Sequence, residues 1–328
     1  MHSAAQSLRL RMISPTDDSP TTSRKGFESL TLADRRKVAQ ARQAKLDADG
    51  FGSARTFLRV GDARELDWIA DESVHLVLTS PPYWTLKKYN EHPAQLGYVA
   101  DYEDFLDQLD LVWRHAFRVL VPGGRLVCVV GDVCLSRRQF GRHVVMPLHS
   151  DIAVRCRKIG FDNLNPIIWH KISNAKYEVD GGGGFLGKPY EPNAIIKNDM
   201  EFILMQRKPG GYRTPTESQR HLSMIAEDDF NDWFRQIWTI PGESTKAHPA
   251  PYPIELARRL VRMFSFVGDT VLDPFCGTGT TMAAAMRIGR NSICVEIDPH
   301  YARLAADRLI AEPDLFAPPD LVFEGLSG

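Results

Sequence analysis

Two stretches decide the fold. Val74-His75-Leu76-Val77-Leu78-Thr79-Ser80-Pro81-Pro82-Tyr83-Trp84 lies early in the chain, and Thr270-Val271-Leu272-Asp273-Pro274-Phe275-Cys276-Gly277-Thr278-Gly279-Thr280-Thr281 lies late. Each opens with a short apolar run that reads as a buried parallel strand. Each then breaks into a loop of different chemistry. In the late loop, Gly277 and Gly279 let the backbone approach a ligand closely, and free amide donors stand at the start of the next helix. That suits a nucleotide-like cofactor. The early loop offers polar acceptors beside an aromatic plate, which suits a planar substrate. The glycine loop lacks the third glycine of a dinucleotide fingerprint and the Gly-Lys-Ser/Thr of a P-loop, so those rivals fail on residues.

Around these loops the chain alternates strand and helix. Phe57–Val60 reads as a strand, followed by Gly61-Asp62 and a short helix over Ala63–Ile69. Helical periodicity covers Asp104–Val121, Met146–Ile159, Ile254–Phe264, the stretch from the glycine loop to Ile288, and Tyr301–Leu309. Strands fall at Arg125–Val130, Leu164–Trp169, Glu201–Gln206 and Ser292–Glu296. Such a βαβ rhythm builds a mostly parallel sheet. Leu32–Ala48 reads as a charged helix within a loosely attached N-terminal extension, and Asp180–Gly187 as a glycine-rich surface loop.

Composition narrows the class. A chain of 328 residues with 43% hydrophobic content allows one large α/β domain, alone or with a small appended module. No apolar run approaches the roughly 18 residues of a membrane span, and the polar start carries no secretory signal. The five cysteines show neither a disulfide framework nor metal-ligand spacing, which points to a reduced, cytoplasmic protein without a metal. A formal net charge of -1 argues against holding nucleic acid by bulk electrostatics but leaves room for a local basic groove. The candidates are Arg137, Arg138 and Arg142, then Arg155, Arg157 and Lys158, then Arg207, Lys208, Arg213 and Arg220.

Single residues carry further readings. Glu296 ends a strand about 20 residues beyond the glycines, where a carboxylate accepts both hydroxyls of a ribose. Asp298, before Pro299, reads as a helix cap. Cys276 has no nearby histidine to activate it, so packing is preferred over covalent catalysis. Trp84 either extends the aromatic wall or belongs to the core.

Taken together these residues resemble the β-type DNA amino-methyltransferases, in which the catalytic motif precedes the cofactor motif. The resemblance runs from about Phe57 to Leu309 and includes Leu120–Leu126, Gly160-Phe161, Ile167–Lys171 and Asn198–Leu204. It implies a Rossmann-like methyltransferase fold: a mostly parallel, twisted, seven-stranded sheet with helices on both faces and permuted motif order. It implies S-adenosyl-L-methionine as cofactor. Glu296 would bind ribose and Ile297 would cover the adenine. Asp273 and Phe275, Cys276 and Gly277 would line the methionine end, with Gly279, Thr280 and Thr281 completing the loop. His248-Pro249 would close the pocket. Asp62-Ala63 would reach the adenine amine, with a helix cap as the equal alternative for Asp62.

The catalytic residues implied are Ser80, Pro81, Pro82 and Tyr83. An exocyclic amine is a poor nucleophile because its lone pair is conjugated into the ring. Two acceptors, the Ser80 hydroxyl and the Pro81 carbonyl, would each take one amine hydrogen and favour a pyramidal nitrogen. Tyr83 would stack on an extruded base. In the resembling family, Ser at the first motif position usually accompanies N4-cytosine methylation and Asp usually accompanies adenine methylation. The expected function is therefore site-specific N4-cytosine methylation of double-stranded DNA. An N6-adenine enzyme and a non-catalytic DNA-binding module that keeps the cofactor are the alternatives. The expected organisation is an extension over 1–50, a catalytic half over 51–211, a target-recognition segment over 212–247, a cofactor half over 248–311 and a tail over 312–328. Some base reading would come from the Arg137–Arg142 or Gly181–Pro192 loops. A companion restriction endonuclease and a homodimer are further expected partners, and no membrane is.

Overall fold

The computed structural model describes residues 54–86, 89–90, 92–171, 196, 198–243, 251–311 and 320–325. The N-terminal extension, the Gly181–Pro192 loop and His248-Pro249 lie outside the described residues. Among the described residues nine strands form one sheet: β1 (Arg55–Val60), β2 (Val74–Thr79), β3 (Leu120–Val130), β6 (Asp162–His170), β7 (Met200–Arg207), β8 (Ile237–Trp238), β9 (Thr270–Asp273), β10 (Asn291–Glu296) and β11 (Asp320–Glu324). The order is β11-β1-β10-β9-β2-β3-β7-β6-β8. Among the described strands of this sheet only β7 runs against the rest. A separate hairpin pairs β4 (Val133–Leu135) with β5 (Val144–Met146). The seven expected strands are the middle of the sheet. Two short edges extend it, one of them from the stretch expected to be a mere tail, where β11 pairs with β1 over Arg55–Arg59.

The central strands are apolar on both faces because helices cover both. Below one face lie α1 (Tyr102–Val119) and α3 (Leu148–Ile159), and a short α2 (Arg137–Phe140) joins β4 to β5. Phe105, Leu109, Val112, Trp113 and Ala116 of α1 recur at helical spacing and are buried with Leu126, Cys128 and Val130 of β3. Asp101 caps α1 by accepting from the amides of Glu103 and Asp104. The other face is covered by α6 (Ile254–Phe264) and α7 (Thr280–Arg287). Two small helices, α4 (Glu217–Leu222) and α5 (Glu227–Trp233), lead to β8, and Trp233, Trp238 and Ile240 are buried on this same side. The segment expected to read DNA is therefore anchored in the core along one face. Finally α8 (Pro299–Ile310) begins at an Asp298 cap with proline in its first turn, as the sequence suggested.

The helix expected over Ala63–Ile69 does not form. Asp62 accepts the Arg64 amide on its side chain, and Glu65 and Ile69 bond back only three residues, to Asp62 and Leu66. These are successive turns, and they bury Ala63, Leu66 and Ile69 without a helical ladder.

Gly279 shows how tightly the second loop is set. Its φ is +77°, and an added Cβ would lie 2.8 Å from Met282 Cε and 3.0 Å from Ala305 Cβ of α8. Gly279→Ala meets both a left-handed backbone and a crowded helix pair. We expect it to lower unfolding free energy by about 1–3 kcal/mol in chemical denaturation of the ligand-free protein.

Candidate active site

Sheet pairing brings the two loops together. β2 and β9 are neighbours in parallel register, Leu76 opposite Val271 and Val77 opposite Leu272, so Thr79 and Asp273 end side by side. From that seam the chain proceeds outward in opposite directions, to β3 on one side and to β10 on the other. A crevice opens at the carboxyl ends of strands at such a switch point.

The seam is closed by one carboxylate. Asp273 is 1% exposed. It accepts from Thr79 Oγ1 at 2.7 Å, Thr281 Oγ1 at 2.6 Å, the Phe275 amide at 3.1 Å and the Tyr252 hydroxyl at 3.3 Å. Burial pushes its pKa up, and these four hydrogen bonds pull it back. Asp273 is not in the wall of the cleft, contrary to the expectation that it lines the methionine end. It holds the glycine loop from behind. Thr281 is fully buried, Thr280 takes a hydrogen bond from Arg308, and Cys276 is packed against Cys294. Gly279 is enclosed by α8. These four serve the loop's shape rather than its surface, and the Cys294 contact together with burial raises the Cys276 thiol well above its ordinary range.

Above the seam lies a cleft whose empty space, open mouth included, is about 590 Å³. Of the residues expected there, Asp62, Ala63, Phe275, Gly277, Glu296 and Ile297 line it, and Ser80 and Pro82 border it from the other loop. Gly61 and Pro274, members of the quoted motifs that were not singled out, also line it, as do Tyr89, Gln95, Leu96 and Tyr301, which no motif had announced. Tyr89, Gln95 and Leu96 come from the stretch between β2 and α1, which folds back across the cleft. There Asn90 donates to Asp298 at 2.6 Å.

Glu296 dominates the cleft chemically. It is 8% exposed. One oxygen accepts the Gly277 amide at 2.7 Å and the other the Asp298 amide at 2.9 Å. Each oxygen keeps acceptor capacity for a hydroxyl. Burial raises its pKa to about 7 against those two amide bonds. A glycine-lined wall beside a carboxylate with spare lone pairs fits a nucleoside-bearing cofactor. Asp62 also faces the cleft, but Arg64 grips it: the guanidinium Nε lies 2.9 Å from one oxygen and 3.0 Å from the other. Asp62 thus caps no helix and is a fixed, charge-balanced acceptor.

In the early loop, Tyr83 is buried and its hydroxyl donates to Glu201 of β7 at 3.0 Å. Glu201 in turn pairs with Lys171, whose ammonium lies 4.2 Å from the Trp169 ring centroid. Trp84 belongs to the core: its indole donates to the Val99 carbonyl at 2.8 Å and meets Tyr102 edge-on. Its φ is +44°, an uncommon value for a bulky residue. Of the ten basic candidates, four meet acids among the described residues. Arg155 pairs with Glu103, Asp107 and Asp110, Arg207 with Asp162, Lys208 with Glu72, and Arg213 with Asp269.

Comparison with known proteins agrees with this geometry. A sequence model of the family described as DNA methylase, covering N6 and N4 enzymes, matches residues 74–307. The type II methyltransferase M.MjaI of Methanocaldococcus jannaschii is 40% identical over 279 residues, spanning 76% of this chain and 89% of its own. M.MthZI of Methanothermobacter thermautotrophicus, another type II methyltransferase, is 34% identical over 272 residues, 76% of this chain and 74% of its own. Among solved structures, the Thermus thermophilus protein TTHA0409 in complex with S-adenosyl-L-methionine is 56% identical. The match covers 84% of this chain and 100% of that one, with a TM-score of 0.69. The cytosine-N4-specific PvuII DNA methyltransferase shares the fold at 20% identity and a TM-score of 0.59, over 79% of this chain and 88% of its own.

Removing one donor from the seam tests its weight. Thr79→Val keeps the volume but strips Asp273 of a charge-assisted hydrogen bond. The unfolding free energy should drop by about 1.5–3 kcal/mol in denaturant titration.

Proposed function

The chain belongs to the DNA methylase family of N6 and N4 amino-methyltransferases, and we propose that within it this enzyme methylates the exocyclic N4 of cytosine. The substrate is double-stranded DNA, methylated at a short specific sequence on a base swung out of the helix. The cofactor is S-adenosyl-L-methionine, whose sulfonium supplies an electrophilic methyl group when bound. The observation that carries the choice of base is Ser80, a hydroxyl at the cleft border where an acid would favour adenine.

Each residue then has a role. Glu296 accepts the ribose hydroxyls, Ile297 covers one face of the adenine, and Asp62, aimed by Arg64, faces the adenine amine. Phe275 and Gly277 bring the loop against the methionine portion. Ser80 Oγ and the Pro81 carbonyl accept the two amine hydrogens, which turns the nitrogen lone pair toward the methyl group in line. Tyr83 forms the wall on which the base rests. Residues 212–247 read the DNA sequence, their described part doing so with the side turned away from the buried Trp233 and Trp238. The type II naming of M.MjaI and M.MthZI supports a companion restriction endonuclease, with a cytoplasmic homodimer as the working form.

Nucleoside mass spectrometry of DNA modified by the enzyme should show N4-methylcytosine; N6-methyladenine in its place would reject the base assignment. Ser80→Ala should lower kcat by ~100-fold or more with cofactor affinity unchanged.

Glu296 predicts a pH dependence. Ribose hydroxyls donate best to the ionised carboxylate, so cofactor affinity should rise between about pH 6 and about pH 8 as Glu296 loses its proton. Stability of the ligand-free protein moves the other way. Between the ordinary value of 4.5 and the folded value of about 7, the folded state binds a proton that the unfolded state lacks. Stability due to this group is therefore lost as pH rises through that window. Calorimetric titration and thermal melts across pH should show both slopes, and Glu296→Gln should flatten them.

A further inference from the structure

A base swung out of duplex DNA leaves a gap in the stack and an orphaned partner base, and the protein must offset the lost stacking. One element stands at the right end of the sheet to fill that gap. β2 and β3 run parallel with Thr79 opposite Cys128, so the Ser80–Tyr83 loop and the chain after Val130 leave the sheet at the same end. There a Cβ on Gly131 would lie 3.5 Å from Tyr83 Cε2. The β4–β5 hairpin follows directly. Its root is fixed: Val133 and Leu135 are buried in one cluster with Tyr83 and Trp84, and Val144 and Met146 pack against that cluster. Its tip stands clear. There α2 makes a single turn and closes at Gly141, whose φ is +72° and where an added Cβ would meet nothing within 4 Å. Phe140 is 47% exposed at this tip. Arg137 lies one turn before it on the same face, Arg142 follows the closing glycine, and both are exposed. Among the described residues no acid pairs with Arg137 or Arg142, in contrast to Arg155, Arg207, Lys208 and Arg213.

We propose that the β4–β5 hairpin is a wedge for duplex DNA: Phe140 enters the base stack where the target base has left it, and Arg137 and Arg142 hold the phosphates on either side. An apolar ring on the neighbouring bases replaces part of the lost stacking. Guanidiniums on phosphates release counterions and fix the register of the ring on the duplex. Charge selects this occupant over a second copy of the chain. In a symmetric contact between two such tips the unpaired cations would face their own kind, whereas a polyanion neutralises them. The buried root gives the wedge its rigidity, because the residues that carry it share a core with Tyr83. A ring inserted there and a base received beside Tyr83 are thus coupled through one packed unit. This inference rests on the reading of the chain as an enzyme that extrudes a DNA base, and it holds whether that base is cytosine or adenine.

The test uses duplexes carrying the sequence that the wild-type enzyme methylates in plasmid DNA, with the target base either paired or placed opposite an abasic site. Phe140→Ala should lower kcat/KM on the paired duplex by about 10- to 100-fold. On the abasic duplex, where the target is already loosened from the stack, it should come within about threefold of wild type. Phe140→Leu, which keeps an apolar wedge, should recover most of the loss. Arg137→Gln combined with Arg142→Gln should flatten the plot of log Kd for duplex DNA against log salt by about two, one for each phosphate given up. Cofactor affinity should match wild type in every variant. Equal losses on the two duplexes, or a wild-type rate for Phe140→Ala on the paired one, would overturn the wedge, and an unchanged salt slope would overturn its phosphate contacts. Should Phe140→Ala not fold, Phe140→Ser reads the same ratio between duplexes. A wild-type enzyme that transfers no methyl group to DNA would reject the functional reading beneath the proposal, whereas transfer with an unchanged ratio would reject only the wedge.

Discussion

A single buried carboxylate holds the working parts in place. Asp273 sits where β2 meets β9 and draws donors from four places: the end of β2, its own loop, the first turn of α7 and Tyr252. An ionised carboxylate out of water is costly unless its lone pairs are filled, and here they are. The bond from Thr79 spans 194 residues of sequence. It joins the strand that delivers Ser80 to the strand that delivers Gly277. Once those strand ends are fixed side by side, the cleft follows from the outward course of β3 and β10. Parallel pairing needs the carboxyl ends to meet and is indifferent to which strand is made first. That is why permuted motif order leaves the pocket intact.

The charges divide in a similar way between building and binding. Glu201 and Lys171 offset each other behind Tyr83, and Asp62 and Arg64 offset each other at the cleft mouth. Arg155, Arg207, Lys208 and Arg213 meet acids within the fold. Cations that read as a phosphate-binding groove along the chain are thus partly structural, consistent with a net charge near zero. Glu296 differs. It is buried beside Asp298, and the bonds that hold its charge come from two backbone amides. Burial outweighs them and leaves the carboxyl poised to respond to a ligand that donates.

Much of the fold was legible because buried parallel strands are continuous apolar runs and amphipathic helices repeat at 3.6 residues. β2, β9 and α6 fall where those patterns place them. Legibility failed where local bonding outweighed pattern. Ala63–Ile69 has helical spacing, yet the Asp62 side chain captures the Arg64 amide and the segment closes as turns. β11 was missed because five alternating residues carry little signal without the β1 edge that they join. In the site, Gly277 and Glu296 were readable from loop spacing. Tyr89, Leu96 and Tyr301 were not, because they reach the cleft only through chain reversal.

The sequence by itself determined the chemistry on offer: a serine–proline–proline–tyrosine loop, a glycine loop and an acid at a strand end, each a short local pattern on a recognisable strand. Only the tertiary structure decided which of those residues face the cleft and which brace it. Asp273 and Tyr83 look alike as motif members, but burial and partners make one a keystone of the strand seam and tie the other to Glu201. Those outcomes depend on contacts between residues far apart in sequence, and such contacts exist only once the sheet has closed around them.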